Sequence, residues 1–121
     1  MEGMRQGMMI AVFCAFVVSA CSSAAPSLGR GLPRTFVPTP DFDKRIKERF
    51  PVGSEESQLL AELHGERFAT TENQDPSRPY RFSALYVAQS LACRESWRIR
   101  WNAEKGRIVG IEGWYSGEIC L

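Results

Sequence analysis

Residues 41–121 are predicted to fold as an α+β domain, with two short helices packed on one face of a three-stranded antiparallel sheet. Three observations lead there. Phe42, Ile46 and Phe50 recur at i, i+4 and i+8 in an otherwise charged run, the stripe of an amphipathic helix. After Gly65 the apolar period changes from helical to alternating. The stretch WRIRWNAEKGRIVGIEGWY, residues 97–115, reads as one hairpin around a Lys-Gly turn.

The first helix opens with Thr39 as N-cap and Pro40 at its first position, and Asp41 and Asp43 suit the positive end of the dipole. Pro51 stops it. A second helix starts at Ser54 with Glu55 and Glu56 in its first turn. Leu59, Leu60 and Leu63 form its buried face, and Gly65 ends it as a C′ residue. Residues 66–71 read either as a short strand or as an extended lead-in, and 72–79, ENQDPSRP, as a loop. Strands follow over 80–90, 93–102 and 107–116, all rich in aromatic and β-branched residues.

A register can be set for the hairpin. Placing Gly106 in the left-handed position of a type I turn with a bulge puts Ala103 opposite Arg107. Trp101 then faces Val109, Ile99 faces Ile111, and Trp97 faces Gly113. One side of the hairpin is Trp97, Ile99, Trp101, Val109, Ile111 and Tyr115, an apolar surface that only the two helices are available to cover. A one-residue slip would turn every tryptophan outward, so the register is strongly specified. The other side carries Arg94, Ser96, Arg98, Arg100 and Asn102 against Ile108, Glu112 and Trp114. There Arg98 is expected across from Glu112, and Trp114 opposite Ser96. Arginine and tryptophan are enriched at binding hot spots, which makes Arg98, Arg100, Glu112 and Trp114 the candidate partner-binding residues. The alternative is an ordinary solvated face with arginine stems lying over Trp114.

Ahead of the domain, residues 8–20 form an uncharged apolar run preceded by Arg5. It is shorter than the roughly 20 residues that span a bilayer and matches the plan of a secretory signal. Initiation at Met4 would remove Glu2 and strengthen the basic start. Val18-Ser19-Ala20-Cys21 resembles the bacterial lipobox, an aliphatic residue and two small ones before a cysteine. The resemblance implies a signal peptide over 1–20, cleavage before Cys21 and acylation of the Cys21 thiol and the new amine. Two or more acyl chains make anchoring stable where one is marginal. Cys14 is the rival acceptor, disfavoured by Phe13 beside the cut, and the alternative outcomes are plain secretion or an uncleaved apolar anchor. Ser22 and Ser23 after the cysteine imply sorting to the periplasmic face of the outer membrane in a proteobacterial lipoprotein. Residues 21–40 hold four prolines, two glycines and five Ser or Thr. That is tether composition, expected to stay off the fold.

The remaining residues narrow the function. With Cys14 removed and Cys21 acylated, Cys93 and Cys120 form the one available pair, read as a structural disulfide in an oxidising compartment. Such a bridge would close a loop of about 28 residues, worth roughly 3 kcal/mol in the chain-entropy model. The other possibility is a redox or metal site, for which two cysteines without a CxxC and one distant histidine are poor material. A net charge of +1 makes no case for nucleic acid. His64 is the single histidine, and no GxSxG, HExxH or Gly-rich phosphate loop occurs. No catalytic activity, metal or small-molecule cofactor is expected.

The lipobox, the Pro-rich tether, the Gly53-Ser54…Leu59-Leu60…Leu63-His64-Gly65 helix and the sheet after it resemble small outer-membrane lipoproteins of the SmpA/OmlA (BamE) type. Those share an ααβββ unit with β-lactamase-inhibitor-like domains. The resemblance implies a lipid-anchored envelope protein that binds another protein as an accessory or scaffold module. Its alternative is an inhibitor or immunity-type lipoprotein that blocks an incoming hydrolase. A small-molecule carrier is the third possibility, and it would need a sizeable pocket.

Overall fold

The computed structural model describes residues 25–34 and 40–120, with Glu118 by its backbone alone. The apolar run 8–20, Cys21 and the Thr39 cap position lie outside the described residues. The chain passes through helices α1 (Asp41–Arg49) and α2 (Glu56–Gly65), then strands β1 (Ala69–Glu72), β2 (Phe82–Gln89), β3 (Cys93–Glu104) and β4 (Arg107–Cys120). The strands form one antiparallel sheet in the order β1-β2-β3-β4. Among the described residues the fold is α+β, with two α-helices ahead of an antiparallel sheet of four strands rather than three.

The added strand is β1, which pairs Ala69 with Leu85 through to Glu72 with Phe82. All four of its side chains are exposed, so no hydrophobic alternation marks it in the sequence. It is held by the ladder and by cross-strand pairs: the Thr71 and Ser83 hydroxyls lie 2.8 Å apart, and Arg81 meets Glu72 at 2.7 Å.

Helix α1 buries Phe42 and Ile46, with Phe50 just past its end, and runs along the edge strand β4. Gly113 allows that approach, because a Cβ there would lie 2.9 Å from Ile46 Cγ1. Asp43 Oδ1 accepts the Gly113 N–H at 2.9 Å, which satisfies an edge amide of β4. Helix α2 buries Leu59 and Leu63 completely, whereas Leu60 is 38% exposed and is not part of the buried face. Gly65 is the last helical residue rather than C′, with Glu66 as the C-cap. Arg67 takes the left-handed conformation (φ 64°), with the Phe68 N–H donating to Leu63 O at 3.0 Å and the Arg67 N–H to His64 O at 3.1 Å. This is a Schellman ending with arginine at C′, and the buried pair Leu63 and Phe68 supplies its apolar clasp.

The hairpin register differs from the expected one. Lys105 and Gly106 both have positive φ (49° and 75°), which makes a two-residue turn and puts Glu104 opposite Arg107. The bulge sits inside β4 instead: Ala103 faces Ile108 and Asn102 faces Gly110, leaving Val109 as the extra residue. Beyond the bulge Trp101 faces Ile111, Ile99 faces Gly113 and Trp97 faces Tyr115. The tryptophans keep their face because the shift there is two residues, an even number. Ile108 and Val109 exchange roles, Ile108 being fully buried and Val109 44% exposed. A second irregularity, between Arg94 and Ser96, shifts β4 by one residue more and brings Cys120 opposite Cys93.

Part of the expected tether belongs to the fold. Residues 25–34 form a strap with a 3₁₀ turn at Ser27–Gly29, and they bury Ala25 and Leu28 in the same core as Phe42 and Trp97. A Cβ at Gly29 would sit 2.5 Å from Trp97 Nε1, so the strap backbone lies directly on the indole. Arg45 donates to the Arg30 carbonyl, and Arg34 pairs with Glu95 at 3.4 Å. Two buried apolar side chains and these polar ties hold a segment whose composition alone predicts no structure.

Candidate functional site

The helices and the strap bury one face of the sheet, the face of Trp97, Ile99 and Trp101. The opposite face carries exposed side chains on β2, β3 and β4, including Val87, Arg98 and Trp114. Antiparallel pairing lines them up in rows across the strands. One row is Thr71, Ser83, Arg100 and Glu112; the next is Ala69, Leu85, Arg98 and Trp114; a third is Val87, Ser96 and Ser116.

All four candidate residues thus lie on one open surface, in two adjacent rows. Their pairing is not the expected one. The bulge at Val109 moves β4 along β3, so Glu112 pairs with Arg100 rather than Arg98, and Trp114 faces Arg98 rather than Ser96. Arg100 also stacks on Tyr80, its guanidinium carbon 5.6 Å from the ring centroid. Burial raises the Tyr80 phenol above its ordinary pKa, and the negative charge of Glu112 pushes it the same way. Arg98 forms no ion pair among the described residues. Trp114 is 52% exposed, and the arginine stacking on this face is that of Arg100 on Tyr80.

The other expected positions lie elsewhere. Cys93 and Cys120 face each other at the far end of β3 and β4, joined by a disulfide with their Cα atoms 4.0 Å apart. Cys21 lies outside the described residues. His64 is exposed in the last turn of α2. Among the described residues no group of three His, Cys, Asp or Glu side chains is placed to hold a metal, and no helix is long and apolar enough to cross a membrane.

Two residues that belong to this surface were missed. Arg78 and Tyr80 come from the loop before β2, which folds back because Asn102 accepts the Arg81 N–H at 2.8 Å and donates to the Pro79 carbonyl at 2.7 Å. Asx-type turns at Asn73 and Asp75 shape the rest of that loop. The Asn-x-Asp-Pro-Ser spacing carries the turn signal, but nothing in it says which face the loop returns to. No protein-family model matches the chain, and no curated protein or solved structure matches it.

Proposed function

We propose that this chain is a lipid-anchored cell-envelope protein whose domain binds another protein through the uncovered sheet face and catalyses no reaction. The observation that supports the reading is Trp114: a large aromatic left 52% exposed opposite the unpaired Arg98, with Leu85 beyond it in the same row. Exposed tryptophan flanked by arginine is the residue chemistry of binding hot spots, and apolar side chains grouped on an open face mark an interaction site. The anchor is acylated Cys21 on the lipobox reading. Three residues separate it from Ala25, four steps along the chain and at most about 14 Å when extended, so the strap side of the domain is the side held to the bilayer. That leaves the Trp114 face turned toward other envelope components. The helix–helix–sheet order is also the one implied by the resemblance to the SmpA/OmlA type, and the accessory or scaffold role follows from it.

The test is a cross-linked pull-down of the full chain, tagged at its C-terminus and expressed at native level, from membranes of cells labelled with fatty acid. The expected result is one envelope protein retained by the wild type and lost with Trp114→Ala, and fatty-acid label lost with Cys21→Ser. Retention unchanged by Trp114→Ala would remove the sheet face from the proposal. If no resident protein is retained by either form, the inhibitor or immunity role takes the place of the accessory role.

A further inference from the structure

Where the loop after β1 folds back on the open sheet face there is a cavity of about 90 Å³, and Arg78, Arg98 and Arg100 all line it, with Tyr80 and Ser83 between them. No aspartate or glutamate is among its lining residues. Glu112 neutralises Arg100 from outside the cavity. Neither Arg98 nor Arg78 forms an ion pair among the described residues; the exposed Asp75 near Arg78 is kept ionised mainly by its hydrogen bonds from Ser77, with the charge of Arg78 adding a smaller pull. The cavity therefore has an excess of positive charge, and its donors are planar forks matched to a two-oxygen or three-oxygen anion. Alongside it lies an apolar shelf, because Arg98 sits between Leu85 and Trp114 in one row, with Val87 in the row beyond.

Resting on the docking reading above, we propose that the cavity receives a carboxylate of the protein partner, from an acidic residue whose apolar neighbours lie over Leu85 and Trp114. A side-chain carboxylate bridging Arg98 and Arg78 would complete the charge pattern that Glu112 completes for Arg100. A phosphate headgroup offers the same anion chemistry. It would have to come from the bilayer, however, and the short reach from Cys21 to Ala25 places the bilayer on the strap side, across the sheet from the cavity. The apolar shelf beside the arginines also fits a peptide with alternating side chains better than a lone anion.

The experiment titrates the full chain, purified from membranes in detergent, with two acetylated, amidated hexapeptides, Val-Glu-Val-Glu-Val-Glu and Val-Gln-Val-Gln-Val-Gln, at low salt. The glutamate peptide is expected to bind about tenfold more tightly, the scale of one charge-assisted hydrogen-bonding contact. Arg98→Ala and Arg78→Ala should each lose most of that preference at unchanged unfolding midpoints, since both side chains are exposed. Trp114→Ala should weaken both peptides alike. Equal binding of the two peptides, or a glutamate preference that survives both arginine substitutions, would overturn the proposal. So would binding of phosphatidylglycerol vesicles that Arg98→Ala abolishes while neither peptide binds. The two readings fail separately: loss of the membrane partner with Trp114→Ala but no peptide preference leaves the docking face and removes the carboxylate site.

Discussion

Glu66 stands just past α2, partly buried, with its carboxylate toward the amides of Ser27 and Leu28 in the strap. Burial raises its pKa above the ordinary 4.5, and those two amides and Arg30 pull it back without a hydrogen bond of good geometry. A carboxyl whose folded pKa is raised costs stability while it is ionised. That cost is present above the folded pKa, shrinks as pH falls through it, and is gone below the unfolded value. Glu66→Gln is therefore expected to raise the unfolding midpoint at pH 7, and the gain should vanish below pH 4.5; a gain independent of pH would show that charge is not its cause. Glu95 shows the opposite arrangement. It is 6% exposed, but Tyr115 donates to it at 2.8 Å and Arg34 lies 3.4 Å away, so its charge is met inside the fold. Neither environment is legible in the sequence. Glu66 follows a helix glycine and reads as surface, because the strap that buries it lies far earlier in the chain.

At the level of elements, the end of α2 shows what a local pattern leaves undecided. Gly65 is the residue type expected at C′, but Leu63 and Phe68 must clasp, and the chain turns left-handed where that clasp requires it, at Arg67. A non-glycine residue there costs roughly 1–2 kcal/mol, partly offset by the lower backbone entropy of the unfolded arginine. Arg67→Gly is accordingly expected to stabilise the domain by about 0.5–1 kcal/mol, read as a higher denaturant midpoint at unchanged slope. The hairpin makes the same point. That a turn lies at Lys105-Gly106 and that Trp97, Ile99 and Trp101 share a face was legible from the period of two. The position of the bulge was not, because both placements keep the tryptophans inside. They differ in which of Ile108 and Val109 is buried, and Ile108 is selected where Gly53 and Ser54 pair with it along the edge of β4. The candidate site inherited that error. Its four residues were identified from the alternation, but their partners were displaced by the bulge.

For the whole molecule, the strap decides how the domain is held. On the proposed acylation of Cys21, a free tether of about twenty residues would let the domain stand off from the bilayer, whereas the docked strap brings the fold as near to Cys21 as Ala25. Glycine at position 29 is what permits the docking. Gly29→Val is expected to push the strap off Trp97 and speed tryptic cleavage after Arg30 and Arg34 several-fold, with a loss of roughly 1–2 kcal/mol from the exposure of Leu28 and Ala25. Limited proteolysis followed by mass spectrometry reads both cut sites. A cleavage rate equal to that of the wild type would show that the strap does not depend on that contact.

Local periodicity was enough to determine two helices with their buried Phe42, Ile46, Leu59 and Leu63, the turn at residues 105 and 106, and the tryptophan face. Each of these is set by neighbours within a few residues. Tertiary structure alone decided the fourth strand, the bulge, the strap and the return of Arg78 and Tyr80 to the open face. Those four depend on contacts between segments far apart in the chain. Exposed threonines, a strap with few apolar residues and a polar loop bury too little apolar surface to announce such contacts by a pattern of their own.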